Sequence, residues 1–332
     1  MERKECLKKL CLAYGPSGHE DIVASLITEM VKPYVDEIYR DVMGNLIAFK
    51  KGTSGKKIML AGHMDQIGLM VVSADEKGFL RVAAVGGVSP WNMLYRHVRF
   101  ENGTEGCVGM DAKHDNKPTV TDLFIDIGVS TKEDAYKKVQ VGDMCVVKGD
   151  FVDMGSRVSC MAMDNRTACG VLIEVLKAVQ LPRDDIYAVF TVQEELGLRG
   201  AKTAAAAILP DVGIAIDITS DCGAPGTEKN CAMELGKGVA IKIRDASVFC
   251  SPAVISWMEE TAEAEGIPHQ REVLTHGGTD TAAMQLAGTG VHAGCLSISC
   301  RYIHSMAETI QWSDYDASID LLAALLRKGW SR

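Results

Sequence analysis

Hydrophobic and polar positions follow two different periods along the chain, and each period predicts its own kind of element. From Ile22 to Val31, and again over 165–180, apolar side chains recur every three or four positions, which predicts helices buried along one face. Continuous apolar runs bounded by turn residues predict buried strands, and such runs lie at 57–62, 186–193, 212–217 and 291–299. Because strands and helices take turns, the pattern predicts an α/β fold with a mixed or parallel sheet sandwiched by helices.

Cap residues and composition set further boundaries outside these runs. A helix is predicted over 251–265, because Ser251 suits an N-cap and Pro252 suits the first helical position. An Ala-rich helix is expected to end at Ile208, and a last helix to run over about 313–328. The stretch DVMGNLIAFK is predicted to be a strand.

The segment between residues 67 and 155 has a different pattern. It contains short stretches of period-two alternation separated by glycine turns, among them LRVAAV, HVRFENGTEGCVG, LFIDIG and DMCVVKGDF. One brief helical patch, Lys132–Lys138, interrupts them. This predicts a small β domain, 67–155, inserted into an α/β domain made of residues 1–66 plus 156–332.

Composition and charge narrow the class of protein. The chain has 332 residues, of which 47% are hydrophobic, enough for one large domain or two ordinary ones. Its formal net charge is −9 and its Lys and Arg residues form no basic block, so neither nucleic acid nor an anionic membrane is expected as a partner. With no signal-peptide pattern and no membrane-spanning run, the protein is expected to be cytoplasmic. Its 11 dispersed cysteines form no CxxC pair and are expected to be buried, reduced thiols.

Acidic and imidazole side chains collect where the predicted strands end. Ligands of open α/β sheets bind at the carboxyl ends of strands, so side chains from separate segments can meet there. The candidates are His63, Asp65, Asp164, Glu194, Glu195, Asp217 and His304. Imidazole nitrogens and carboxylate oxygens are ordinary zinc ligands, and two ions with a bridging carboxylate can activate a water while they bind a substrate. The pattern therefore predicts a site for two divalent metal ions.

Two local arrangements indicate separate roles within this group. In the stretch GHMD, strand alternation places His63 and Asp65 on one side, so that Asp65 can orient a ligating imidazole. The adjacent acids Glu194 and Glu195 cannot easily point the same way. One of them is expected to bind metal and the other to act as a general base.

Several of these positions also have a structural interpretation. The Glu pair could be a solvated loop end, and Asp217 could cap a helix or a turn. Gly278 and Asp280, in the stretch GGTD, either begin a helix over 281–287 or lie near a substrate. The remaining histidines are expected to be structural or surface residues, with His276 the least certain: they are His19, His97, His114, His269, His276 and His292.

At these residues the chain resembles the M42 family of co-catalytic metallo-aminopeptidases, which includes glutamyl aminopeptidase and the tetrahedral TET peptidases. The resemblance runs nearly the whole length, with motifs in family order: GHMDQIG, GFLRVAAVGG, LFIDIG, MDNR, QEELGLRGA, AIDIT, GGTD and RYIHS. Each motif is weak alone, but their spacing and the inserted β segment make the set highly specific. The chain departs from the family at Met306, where Pro is frequent, and at Thr281, where Ala is common; neither is an expected ligand.

The resemblance implies a role for each site residue. The ligands of one metal ion would be His63, Asp164 and Asp217. The ligands of the other would be Asp164, Glu195 and His304, with Asp164 as the bridge. Glu194 would be the general base and acid, and Asp65 would support His63 and the metal site. Zinc or cobalt would be the expected ions.

The resemblance also implies a fold and an assembly. The α/β domain would be zinc-peptidase-like, and the insertion would be a PDZ-like β domain used for dimerisation. Many members of the family form dimers that build hollow tetrahedral dodecamers, so a homo-oligomer of that kind is expected.

The implied activity is removal of the N-terminal residue from short peptides. Two other functions are compatible with the sequence. The Glu pair could belong to an endoglucanase-type glycoside hydrolase, although adjacent carboxylates do not set up the roughly 5 Å spacing across a sugar bond that retaining enzymes use. The chain could also be a non-catalytic, metal-binding assembly protein that kept the fold. The side-chain preference of the peptidase is not determined by any single residue.

Overall fold

The structure is a computed structural model and describes residues 1–111, 117–225 and 233–331; His114 lies outside these ranges. The helices are α1 (Arg3–Leu12), α2 (Asp21–Val31), α3 (Pro90–Met93), α4 (Lys132–Lys138), α5 (Met163–Ala178), α6 (Arg199–Ile208), α7 (Pro252–Glu265), α8 (Asp280–Gln285) and α9 (Trp312–Lys328). The strands are β1 (Glu37–Arg40), β2 (Leu46–Lys50), β3 (Lys57–His63), β4 (Gly68–Ala74), β5 (Leu80–Val85), β6 (His97–Phe100), β7 (Glu105–Met110), β8 (Leu123–Asp126), β9 (Met144–Val147), β10 (Val152–Asp153), β11 (Arg157–Cys160), β12 (Asp185–Thr191), β13 (Val212–Ser220), β14 (Val239–Arg244), β15 (His269–Val273), β16 (His292–Arg301) and β17 (Glu308–Gln311).

An 11-stranded mixed sheet forms the larger part of the molecule. Its main path runs β1-β2-β12-β3-β13-β16-β17-β11-β10, and β14 pairs with both β15 and β16. The four central strands β12, β3, β13 and β16 are parallel. The outer pairs β1–β2, β2–β12, β16–β17 and β17–β11 are antiparallel. The mixed sheet predicted from the alternation of elements is confirmed.

Helices cover both faces of this sheet because its central strands are apolar on both sides. Along β3, Ile58 and Leu60 face the core beneath α1, α2, α5, α7 and α9. Met59 and Ala61 face a second core beneath α6 and α8. Alternate residues of a strand point to opposite faces, so a continuous apolar run supplies both cores at once.

The remaining six strands, β4 to β9, close into a separate barrel in the order β4-β5-β8-β7-β6-β9. Closure comes from β9, which pairs with β4 on one side and with β6 on the other. Inward residues such as Leu80, Val98 and Ile125 form a third core of their own. Closing the sheet leaves no exposed strand edge, which explains how so short a β segment can be stable.

Several element predictions need correction. In the stretch DVMGNLIAFK the strand is only β2, because the Asp41 carboxylate accepts bonds from the backbone N–H groups of Gly44 and Asn45 and holds a turn before it. Ser251 precedes α7, but its hydroxyl accepts a bond from the backbone N–H of Ala293 and does not cap the helix. Helix α1 and strand β1 were not predicted: the apolar face of α1 is narrow and lies among charged residues, and β1 is a four-residue strand with no buried side chain.

Two further findings concern the cysteines and the membrane. Cys222 is disulfide-bonded, contrary to the expectation of reduced thiols, whereas the other cysteines of the described ranges are free. Among the described residues, no helix is both long enough and apolar enough to span a lipid bilayer.

Candidate active site

The parallel strands deliver the candidate side chains to one edge of the large sheet. β12, β3, β13 and β16 are neighbours and run in the same direction, so their carboxyl ends meet. His63 is the last residue of β3, the Glu194–Glu195 pair follows shortly after β12, and His304 follows shortly after β16. Asp164 enters the same edge from the first turn of α5.

Asp217 lies inside β13, not at its end as the sequence predicted. β13 continues to Ser220 because it stays paired with β16, whereas its pairing with β3 stops at the Ala215–Ala61 pair. Asp217 is two residues beyond Ala215, and His63 is two residues beyond Ala61. The two side chains are therefore level with each other and point to the same face.

Two groups of nitrogen and oxygen donors form at this edge, and they share Asp164. His63 Nε2 lies 3.1 Å from Asp164 Oδ1 and 3.9 Å from Asp217 Oδ1. His304 Nε2 lies 3.3 Å from Asp164 Oδ2 and 3.2 Å from Glu195 Oε1. Within each group, one donor atom per residue lies within 4.8 Å of the others. Asp164 thus presents one carboxylate oxygen to each group, the arrangement of a bridging ligand.

The adjacent acids Glu194 and Glu195 point towards different histidines. Glu194 Oε2 lies 3.9 Å from His63 Nε2, and Glu195 Oε1 lies 3.2 Å from His304 Nε2. Their backbone N–H groups both donate to the Asp65 carboxylate, at 3.0 and 3.2 Å. With His63 the pair also forms a third compact donor group. One buried carboxylate therefore holds the turn while the two side chains diverge.

Asp65 acts from the loop after β3, not from the strand as its spacing predicted. His63 Nδ1 lies 3.1 Å from the Asp65 carbonyl oxygen and 3.3 Å from Asp65 Oδ1, which holds the ring so that Nε2 faces the cluster. Ser17 Oγ donates to the second carboxylate oxygen at 2.6 Å. Burial acts to raise the pKa of Asp65, but the bonds from His63 and Ser17 outweigh it and lower that pKa.

A further carboxylate, Glu308, was missed by sequence reasoning. It is buried at the start of β17, where Oε2 accepts the backbone N–H of Asp164 at 2.9 Å and Oε1 accepts the backbone N–H of His304 at 2.7 Å. Glu308 thus ties together two segments that carry candidate ligands, as Asp65 does for the Glu pair. Its only sequence signal is an acid at the start of a short apolar stretch, ETI, which by itself is ambiguous.

Electrostatics favour positive charge at this cluster. Burial raises the pKa of Glu194 well above its ordinary value, although the nearby His63 acts to lower it. Burial acts to lower the pKa of His304, but hydrogen bonds to Asp164 and Glu195 raise it to about 11. The carboxylates that raise the pKa of His304 would attract a bound metal cation in the same way.

The donor set suits divalent metal ions. Each of the two groups around Asp164 offers one imidazole nitrogen and two carboxylate groups, which are the ligand types of zinc and cobalt ions. Three protein ligands leave a position for water or substrate, as in catalytic sites. The residues present therefore fit two metal ions.

A cavity of about 590 Å³ opens onto the cluster. Gly278, of the GGTD stretch, lies in the wall of this cavity, a position compatible with a place near a substrate. Asp280 does not line the cavity: it is buried at the start of α8 and accepts a 2.6 Å bond from Thr191 Oγ1. Burial raises the pKa of Asp280 to about 6.

Two other residues of the cavity wall were not assigned to the site from the sequence. His276, the least certain of the remaining histidines, lines the cavity. So does Lys242, which is buried and lies 2.9 Å from Glu272 Oε1 and 3.7 Å from Asp245 Oδ2. The sequence signal for Lys242 is its position inside the apolar run VAIKI, because a lysine buried in a strand needs an acidic partner.

The family model that matches this chain and two of its relatives are described as aminopeptidases. A family model described as M42 glutamyl aminopeptidase matches residues 44–321. A putative aminopeptidase of Acetivibrio thermocellus is 44% identical over 96% of this chain and 96% of its own. The lysyl aminopeptidase of Pyrococcus furiosus is 35% identical over 98% of this chain and 96% of its own.

Solved structures share the whole fold. An aminopeptidase from Desulfurococcus kamchatkensis superimposes with a TM-score of 0.95 at 37% identity, covering 98% of this chain and 95% of the other. The TET1 peptidase of Pyrococcus horikoshii, described as assembling into a tetrahedron or a large octahedral shell, has a TM-score of 0.88 at 33% identity and covers 98% and 99% of the two chains. A Thermotoga maritima structure named as an endoglucanase has a TM-score of 0.83 at 32% identity, covering 97% and 96%.

Proposed function

Because this chain belongs to the M42 family of aminopeptidases, we propose that it removes the N-terminal residue from peptides at a centre of two divalent metal ions. Membership of the family makes it a hydrolase that acts on peptides. The finer proposal depends mainly on one observation: the two oxygens of Asp164 lie 3.1 Å from His63 Nε2 and 3.3 Å from His304 Nε2.

We assign each ion three protein ligands. His63, Asp164 and Asp217 would hold one ion, and Asp164, Glu195 and His304 would hold the other. When bound, such ions polarise the scissile carbonyl and lower the pKa of a coordinated water. Zinc and cobalt are the ions that this set of nitrogen and oxygen donors suits best.

Glu194 is the proposed general base. Its carboxylate is directed at the cluster beside His63, and burial raises the pKa of Glu194, which favours its acting as a proton acceptor. Glu194 takes a proton from the attacking water and returns it to the leaving amine nitrogen as the peptide C–N bond breaks. Asp65 takes no proton: it holds the backbone of Glu194 and the ring of His63 in place.

The substrate is expected in the cavity over the cluster. Acidic groups at the cluster attract the positively charged N-terminus of a peptide, and Gly278 in the wall lets the peptide backbone approach closely. Asp280 is assigned a supporting role through Thr191, since it does not reach the cavity. Short peptides fit a space of about 590 Å³ better than folded proteins do.

We propose that residues 1–66 plus 156–332 form the catalytic domain and residues 67–155 a PDZ-like dimerisation domain. The TET1 relative is described as assembling into closed shells. By analogy, this chain is expected to form a homo-oligomer, with a dimer-based tetrahedral dodecamer as the first candidate. Sedimentation velocity on the purified chain tests this directly.

A glycoside hydrolase is the second candidate, because one relative of similar fold is named an endoglucanase. The carboxylates argue against it: Glu194 and Glu195 lie beside different histidines, and a two-carboxylate glycosidase has no use for the imidazoles. A non-catalytic assembly protein would have no reason to keep the bridging arrangement at Asp164.

One experiment separates the three functions. Metal-stripped protein is supplied with zinc or cobalt and given a panel of free peptides, acetyl-blocked peptides and a cellulose oligomer. The aminopeptidase predicts metal-dependent release of N-terminal residues from free peptides only. Turnover of the cellulose oligomer at comparable rates would favour the glycosidase, and absence of any turnover with every metal would favour the non-catalytic protein.

A further inference from the structure

We propose that the barrel completes the catalytic centre: its segment from Gly86 to Met93 is a positioning element that holds His304 and one wall of the second metal site. This inference builds on the proposed two-metal function. It gives the inserted barrel a role at the active site of its own chain, in addition to any role in assembly.

Two hydrogen bonds connect this segment to His304. The ring Nδ1 of His304 donates to the carbonyl oxygen of Gly87 at 2.8 Å, which leaves Nε2 directed at Asp164 and Glu195. The side-chain Nδ2 of Asn92 donates to the backbone carbonyl oxygen of His304 at 3.0 Å. The segment therefore fixes both the ring orientation and the backbone of the residue, which is how partners of a ligating histidine act.

Close packing adds a steric constraint. A Cβ on Gly87 would lie 2.7 Å from His304 Cε1, and a Cβ on Gly86 would lie 3.0 Å from Glu195 Cβ. Gly86 also has a φ of +77°, which other residues rarely adopt. Two consecutive glycines therefore let the barrel backbone touch two proposed ligands of the same ion.

The segment is anchored on the barrel side. Met93 is buried in the barrel core, and Val88 packs against the same core. Gly87 directly precedes Val88, Asn92 directly precedes Met93, and both form hydrogen bonds with His304. Beside these direct contacts there is a cavity of only about 20 Å³, lined by Met93 from the barrel and by Asp164, Glu195 and His304. A movement of the barrel relative to the sheet would therefore be transmitted to His304.

His304 needs such support because its own segment is irregular. It lies in the connection between β16 and β17 with a φ of +59°, and its neighbour Tyr302 has a φ of +60°. Non-glycine residues at positive φ persist only where surrounding contacts hold them. Glu308 holds the His304 N–H from the sheet, and the barrel segment holds its carbonyl oxygen and its ring.

The test compares variants of the segment by metal titration. Asn92→Ala and the isosteric Asn92→Asp both remove the donor to His304, and Gly87→Ala pushes a methyl group against the ring. Each metal-stripped protein is titrated calorimetrically with zinc, and the visible absorption of the cobalt form is recorded. We expect one of the two ions to bind roughly 10- to 100-fold more weakly, with the other unchanged, and an altered cobalt spectrum.

Matched controls come from the same barrel. Asn102→Ala removes a side-chain amide that donates to the Lys138 carbonyl oxygen at 2.7 Å, a similar bond away from the cluster. Gly149→Ala places a methyl group 3.4 Å from its nearest neighbour, the Met306 carbonyl oxygen, an ordinary contact. Both controls are expected to bind two ions with unchanged affinities. Melting temperatures of the metal-free proteins identify any variant whose barrel is unfolded.

The outcomes separate this inference from the proposed function. If the wild-type chain binds two ions and the Asn92 and Gly87 variants bind both as tightly, the barrel does not position His304, while the two-metal function stands. If both ions weaken equally, or the controls weaken as much as the variants, the effect is a general loss of stability and the inference is overturned. If the wild-type chain does not bind two ions, the proposed function itself fails.

Discussion

The two proposed metal-binding histidines, His63 and His304, are held in contrasting ways. His63 ends a central strand of the large sheet, its side chain is only 2% exposed, and the next residues along the chain orient its ring. His304 lies in a connection at positive φ, its side chain is 30% exposed, and it depends on Gly87 of the barrel and on Glu308. His63 is thus oriented from within the large sheet and the loop that follows β3, whereas His304 is oriented by contacts from both the sheet and the barrel.

Because the two histidines are held by different contacts, we expect the two proposed metal sites to be lost separately. A strand in a packed core is fixed by many apolar contacts, so the His63 half tolerates the loss of any single polar contact. His304 lies in a connection between strands and depends on individual hydrogen bonds.

The largest effect is expected from Glu194→Gln, which changes the base beside His63 without disturbing either half. The amide keeps the size of the side chain but cannot accept a proton from water. Turnover of a free peptide should fall by about 10²- to 10⁴-fold while both ions stay bound. Steady-state kinetics and metal analysis of the same sample check this, and wild-type turnover would remove Glu194 from the mechanism.

The next prediction compares His63→Ala with His304→Ala. Each variant should lose one ion and keep the other, because only Asp164 is shared between the proposed ligand sets. The His304 variant should keep the melting temperature of metal-free wild-type protein more closely, since its side chain is the more exposed. Loss of both ions in both variants would mean that the halves are not independent.

A smaller effect is expected from Glu308→Ala. This change leaves the backbone N–H groups of Asp164 and His304 without their buried acceptor, at a cost of about 1–3 kcal/mol in the free energy of unfolding. The ion between these two residues should bind about 10- to 100-fold more weakly. Denaturant unfolding and metal titration provide the two readouts. Glu308→Gln retains one acceptor oxygen and should fall between the alanine variant and the wild type.

The last prediction concerns pH in metal-free protein. The pKa of His304 is raised to about 11, above the roughly 6.5 of an unfolded chain, so its ion pairs stabilise the fold fully below about pH 6.5 and are lost as pH rises towards 11. The difference in melting temperature between wild type and His304→Gln should therefore shrink from about pH 6 to about pH 10. A constant difference over this range would show that His304 does not hold its proton in this way.

The sequence predicted the sheet and most of its site better than it predicted the contacts between distant segments. Apolar runs that end in His63 or near the Glu194–Glu195 pair can be recognised from the sequence, because a polar side chain first becomes possible where a strand leaves the core. Asp217 lies at the predicted edge of the sheet, but the predicted end of its strand is too early, because β13 continues to Ser220 through pairing that only the fold determines.

Other features could not be predicted from local patterns. In the sequence Glu308 cannot be distinguished from other acidic residues. Its contacts are with the backbone N–H groups of Asp164 and His304, which lie in different segments. Gly87 lies more than two hundred residues before His304 in the chain, so their contact exists only once the barrel is folded against the sheet. Asp280 had a plausible place at the substrate, but Thr191 holds it behind the cavity wall.

A crystal of the zinc-loaded protein would show whether two metal ions bind on either side of Asp164. Anomalous difference density collected at the zinc edge should contain two peaks per chain. One peak should lie among His63, Asp164 and Asp217, and the other among Asp164, Glu195 and His304. A single peak, or two peaks without Asp164 between them, would contradict the account.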